Sequence, residues 1–210
     1  MRTGRPREFD VDQALEGALK VFWRKGYEGS TLPDLTKAMG INRPSLYAAF
    51  GSKEKLFRKV LDRYSCGPAG YISKALEAPT ARAVVNELLR GTIELVTDRR
   101  NPRGCLIVHG ALVCGEAAES IRRELVSRRL ATEAAIRKRL QRGIVESDLP
   151  ADSRAADMAR YVVAVMQGIA VQAAGGANRA QLRRVAAMAL RAWPTGSANR
   201  RRRRETYTTC

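Results

Sequence analysis

Apolar side chains recur every three or four positions along nearly the whole chain, with little of the strict alternation that marks strands. That period gathers them on one stripe of a helix, so the pattern predicts an all-α protein. The first helix opens near "FDVDQAL". Asp10 stands where an N-cap belongs, Gln13 sits at capping-box spacing, and Ala14, Leu15, Ala18, Leu19, Phe22 and Trp23 share a stripe that stops at Gly26. Thr31 caps a short second helix ending at Met39-Gly40, and Asn42 caps a third. Both carry Pro in the first turn, where a missing N–H costs little. Ser52 caps a fourth helix whose buried face is Leu56, Phe57, Val60, Leu61 and Tyr64.

The break "SCGPAG" (65–70) separates this group from a second set. "APTARAVVNELLRGTIELV" carries Val84, Val85, Leu88, Leu89, Ile93 and Val96 on one side. An apolar helix follows from Cys105 to Val113, then a long arginine-rich amphipathic one from Glu116 to about Gly143. Asp152 or Ser153 opens the next, which runs to Gly175-Gly176, and the last spans roughly Asn178 to Trp193. The expectation is about nine helices: a three-helix head (1–50), a connecting fourth helix (51–66), a helical body (67–194) and a disordered basic tail (195–210).

Charge changes the picture next. The 210 residues carry a formal net charge of +17, which favours an anionic partner. The excess is spread, with +5 over 1–66, +8 over 67–194 and +4 over the tail, so charge alone does not locate a contact. The most apolar run, Tyr161 to Ala174, is too short to span a bilayer, and the N-terminus has no apolar secretion core. Cysteines at 66, 105, 114 and 210 form no CxxC pair, as expected of a cytoplasmic protein with reduced thiols. One His, no paired-carboxylate motif and no glycine-rich phosphate loop argue against an enzyme; no metal and no cofactor are expected.

Two short helices joined at "AMGIN" form a helix-turn-helix candidate. Gly40 can take the positive φ of a sharp turn, and Ile41 can fill the gap between the helices. In such a unit the second helix enters the DNA major groove N-terminus first. Arg43 can fork onto a guanine edge, Pro44 offers a compact apolar surface, and Ser45 can donate or accept. Tyr47 and Lys53 would reach backbone phosphates on one side and Thr31 on the other.

"STLPDLTKAMGINRPSLYAAFGSKEKLF" resembles the DNA-binding signature of TetR-type transcriptional regulators (TetR/AcrR). The shared elements are the Thr cap, the Gly-Ile turn, the Leu-Tyr pair, the Phe three residues after Tyr, and Ser-Lys-Glu-x-Leu. The likeness is sharp over 9–64 and looser over 166–190. It implies a homodimeric repressor on a palindromic operator, released by a small-molecule or electrophile inducer that enters the body. It also maps base reading onto Arg43, Pro44 and Ser45, and phosphate contact onto Thr31, Tyr47 and Lys53. Ala49 stands where many members have His, and Pro44 where many have Gly.

The helix over Tyr161 to Ala174 is apolar around most of its circumference, so it must be covered on several sides. Tyr161, Val162, Val165, Met166, Ile169, Leu182, Val185 and Ala189 are the expected dimer contacts, placing two heads about one helical turn of DNA apart. Arg2, Arg5 and Arg7 are candidates for a minor-groove arm. The run Arg200–Arg204 would add non-specific, salt-dependent DNA affinity. Within "RGCLIVHGALVC", Cys105 begins a helix beside Arg99, Arg100 and Arg103, a setting that lowers thiol pKa, and His109 lies about 40° round the same helix. These two are the candidate sensor residues; Cys114, roughly opposite Cys105, cannot share a metal with them. The competing reading is a basic architectural or RNA-binding protein with little sequence preference.

Overall fold

The computed structural model describes residues 9–112 and 118–194. Among these, every regular element is an α-helix, and there are ten. The head comprises α1 (Val11–Lys25), α2 (Leu32–Met39) and α3 (Arg43–Phe50), and α4 (Lys53–Cys66) leads out of it. The body comprises α5 (Tyr71–Leu76), α6 (Ala81–Thr97), α7 (Leu106–Leu112), α8 (Glu119–Val145), α9 (Ala155–Ala174) and α10 (Arg179–Arg191).

The polar caps read in sequence for the first four helices, Asp10, Thr31, Asn42 and Ser52, are the caps observed. Thr31 and Asp34 form a reciprocal capping box on α2, Asn42 Oδ1 accepts from Ser45 N at 2.8 Å, and Ser52 Oγ accepts from Lys55 N at 3.1 Å. Asn178 and Gln181 form a second box on α10. One expectation needs correction, and one helix adds to the expected count of about nine. The described residues hold ten helices, the additional one being α5, which is six residues long, starts at Gly70 without a side-chain cap, and is too short to show a period. α9 begins at Ala155 behind Arg154 with no side-chain cap, so neither Asp152 nor Ser153 opens it.

Helices of eight residues such as α2 and α3 do not persist alone in water, so packing must hold them. Leu35 on α2 and Leu46 on α3 are fully buried with Leu19, Phe22, Leu56 and Phe57, each contributing about 1.5–3 kcal/mol by leaving water. α1 and α2 approach so closely that a side chain at Gly17 would overlap the Ala38 carbonyl. Gly40, at φ 66°, makes the left-handed turn between α2 and α3.

The head core does not end at the head. Leu95 of α6, Leu106 of α7 and Ile121 and Leu125 of α8 belong to the same buried cluster. A second cluster fills the body between α6, α8, α9 and α10, closed by Trp193. Arg139 of the arginine-rich α8 is buried. It donates to the carbonyls of Leu76, Ala78 and Pro79 and so closes the C-terminal end of α5.

Candidate nucleic-acid interface and internal cavity

α3 is anchored by Leu46 and Phe50, which turns its N-terminal residues outward. Arg43 and Pro44 are exposed, Ser45 is half-buried with its N–H taken by the Asn42 cap, and Tyr47 is exposed. The Arg43 guanidinium lies over the Tyr47 ring, 5.6 Å from its centroid, so the two side chains form one surface.

The flanking residues are more engaged than their sequence positions suggest. Thr31 uses both its donors on Asp34 Oδ2, the hydroxyl at 2.8 Å and the N–H at 3.1 Å, while Lys25 Nζ holds the other oxygen at 2.8 Å. Lys25 and Thr31 together lower the Asp34 pKa from 3.8 to about 2. Lys53 Nζ rests 4.6 Å from the Tyr27 ring centroid, and partial burial lowers its pKa against the opposing pull of Glu28. It is an ammonium on an aromatic shelf at the start of α4, not a free surface charge.

Behind the head, α4 is tied to the body by alternating charges. Glu54–Arg58 (3.0 Å), Arg58–Glu124 (3.0 Å), Glu124–Arg128 (2.7 Å) and Arg128–Asp62 (2.7 Å) join α4 to α8. Next to this chain, Trp23 Nε1 donates to the Gly104 carbonyl at 3.0 Å, Trp23 packs edge-on to Tyr64, and the Tyr64 hydroxyl donates to Cys105 Sγ at 3.3 Å.

Cys105 and Tyr64 are also part of the wall of a half-open cavity of about 80 Å³ bordered by α4 to α9. The wall is mostly apolar, with Ile72, Leu95, Val96, Val163 and Met166 among its residues. Its polar members are the Tyr71–Thr92 hydroxyl pair (2.9 Å), Arg129, Thr132 and Gln167. Burial pushes the Tyr64 and Tyr71 phenols well above their ordinary pKa, so both are neutral donors.

Two family models match the chain, "Bacterial regulatory proteins, tetR family" over residues 14–60 and "Tetracyclin repressor-like, C-terminal domain" over 81–190. The chain belongs to the TetR family. The HTH-type transcriptional repressor ComR of Escherichia coli K12 is 32% identical over 193 residues, 91% of this chain and 92% of ComR. Two structures of cysteine-substituted CifR, a TetR family regulator complexed with 26-bp operator DNA, are also similar. One is 46% identical with TM-score 0.87, covering 90% of this chain and all of CifR; the other is 45% identical with TM-score 0.88, covering 91% and all of it. This TetR-family chain is a helix-turn-helix, DNA-binding transcriptional repressor, and the architectural or RNA-binding reading is set aside.

In this TetR-family fold the residues expected at a dimer contact divide into two groups. Val162, Met166, Ile169, Leu182 and Ala189 are buried in the protomer's own core, and Val165 packs partly against it. Tyr161 and Val185 face outward, and with them Val171 and the 62%-exposed Met188, which sequence reasoning did not select. The sensor pair divides as well. Cys105 is part of the cavity wall, whereas the His109 ring lies against Gly104, and burial lowers its pKa. Arg2, Arg5, Arg7, Cys114 and the run 200–204 lie outside the described residues. The cavity residues Arg129, Thr132 and Gln167 escaped notice because an arginine-rich helix offers no signal for which cation turns inward. Among the described residues no cluster of His, Cys, Asp and Glu could hold a metal ion, and no helix is long and apolar enough to cross a membrane.

Proposed function

We propose that the protein represses transcription in the cytoplasm as a homodimer on a palindromic operator, and that a small molecule entering the α4–α9 cavity releases it. Residues 1–50 form the reading head, 51–66 the connecting helix, and 67–194 the effector and dimer body. Arg43, Pro44 and Ser45 read base edges, while Thr31, Tyr47 and Lys53 grip phosphates on either side. The observation that carries this reading is the outward edge of α3. Arg43 is exposed at the first helical position and stacked on Tyr47, over a helix whose other face is fully buried. The Thr31 hydroxyl, held by Asp34, would turn from that carboxylate to the phosphate on binding.

The exposed apolar ridge of Tyr161, Val171, Val185 and Met188 is the face that a second copy covers. Of the two sensor residues, Cys105 is the one an electrophilic inducer would meet, since it shares the cavity wall with Tyr64. An inducer acts by favouring a body conformation in which the two heads no longer match the half-site spacing.

Selection of bound duplexes from random DNA at physiological salt tests the core of this reading. A single enriched palindrome, lost with Arg43→Ala, is the expected result; salt-sensitive binding with no enriched sequence would contradict it.

A further inference from the structure

The cavity wall holds one charged side chain, and among the described residues that charge has no counterpart. Arg129 is half-buried on α8, one turn before Thr132, and no carboxylate or carbonyl among the described residues bonds to it. The helix-neighbour acid at its i+4 position, Glu133, is taken by Arg160 at 3.3 Å. The adjacent Arg128 has claimed Asp62 and Glu124, Arg122 and Arg123 share Glu119, and Arg142 holds Glu146. Arg139, the other inward arginine of α8, is bonded to three carbonyls. None of its guanidinium nitrogens is sealed from solvent, so the fork stands unengaged at the open side of the cavity, available to a ligand carboxylate.

Gln167, facing the same cavity from α9, also has no hydrogen bond among the described residues. We infer that this cavity binds a small amphipathic carboxylate, its two oxygens taken by the Arg129 guanidinium and the Gln167 amide and its apolar body lying against Ile72, Val96 and Met166. The planar fork of Arg matches a carboxylate in shape, and the wall supplies one charge, not the two or more that a phosphate ester or nucleotide requires. The mostly apolar wall suits a compact body such as a single ring or a short alkyl chain. Thr132, whose hydroxyl donates to the Arg128 carbonyl, keeps an oxygen free to accept from a ligand hydroxyl. This assignment rests on the reading of the cavity as the inducer site, and it gives that inducer its chemical class.

Calorimetric titration of the full-length protein with phenylacetate, 3-phenylpropionate and hexanoate, each beside its neutral amide, tests the class directly and needs no DNA. Each acid is expected to bind about tenfold or more tighter than its amide, in line with a charge-assisted hydrogen bond. Arg129→Gln should abolish that preference, weakening acids about tenfold or more beyond any loss for amides, and a circular-dichroism spectrum like that of wild type reports that the variant is folded. Met166→Trp, which fills the cavity, should weaken acids and amides together. Equal binding of acid and amide, a preference that survives Arg129→Gln, or no binding of any of the three acids overturns the inference. Operator release is measured separately: acids that bind as expected but leave the operator complex intact support the site and refute the inducer role.

Discussion

The Trp23 indole N–H donates to the Gly104 carbonyl at 3.0 Å, a buried bond between residues 81 apart in sequence. Trp23 lies on the inner face of the head, and Gly104 immediately precedes Cys105 on the cavity wall. Gly104 has φ +88°, and a side chain there would run into the His109 ring, so this turn accepts no other residue without strain. A ligand in the proposed inducer cavity that shifts the turn would act on α1 through this bond and the packing of Leu106, and on α4 through Tyr64.

Trp23→Phe keeps an aromatic ring in place but leaves the Gly104 carbonyl buried without a donor. The expected cost is about 1–3 kcal/mol in urea denaturation. A midpoint unchanged from wild type would mean that the carbonyl finds another donor and that the joint does not depend on this bond.

The two kinds of proposed DNA contact should separate by substitution. Arg43→Ala is expected to weaken operator binding by about 1–3 kcal/mol and to relax discrimination at one base position. Lys53→Ala should weaken operator and random duplex alike and reduce the salt slope by about one unit. Fluorescence anisotropy on the operator, its single-base variants and random DNA checks both.

Asp34 makes the head sensitive to acid. Its pKa is lowered from 3.8 to about 2 by Lys25 and Thr31, so the folded state binds its proton more weakly than the unfolded chain does. The stabilisation is thus present above about pH 4 and fades as pH falls towards about 2. Thermal melts across that interval should show a shallower acid slope for Asp34→Asn than for wild type. Parallel curves would assign the acid sensitivity elsewhere, for instance to Asp98, which Arg100 lowers to about 2.

On the proposed dimer face, Met188→Glu should yield a folded monomer, because Met188 makes its main contact with solvent in the single chain. Ile169→Glu, by contrast, buries a charge in the body core and should prevent folding. Analytical ultracentrifugation with circular dichroism distinguishes these outcomes. A Met188→Glu protein that stays dimeric would move the interface away from this ridge.

The head was legible because its signals are local. Thr31, Asn42 and Ser52 each cap the helix that follows them, and a cap needs only three or four residues to be recognised. The body was less so. α9 is apolar nearly all round, and periodicity cannot say which of its stripes faces the protomer's own core; Val162 and Ile169 face it, while Tyr161 and Val171 do not. Arginines on α8 look alike in sequence, yet Arg139 closes α5, Arg128 binds α4, and Arg129 borders the cavity. Those roles are decided by residues sixty or more positions away, or by empty space that no residue spells out. α5 was missed for a related reason: its C-terminal end is completed by Arg139 and not by a neighbour in sequence.

The charge chain from Glu54 through Arg58, Glu124 and Arg128 to Asp62 has a bearing on how the protein meets changes in ionic strength. Its members alternate in sign along helices that already touch, and Glu124 and Arg128 are largely shielded, each 22% exposed. Loosening it liberates no condensed counterions, so added salt screens it only gradually. Binding to a duplex obeys a much steeper law, because every neutralised phosphate liberates a cation. Under the proposed function the protein would have two routes off its operator that leave it in different shapes. Salt would strip it from DNA with the angle between head and body preserved, ready to rebind on dilution. An inducer would leave the ionic attraction in place and alter the angle.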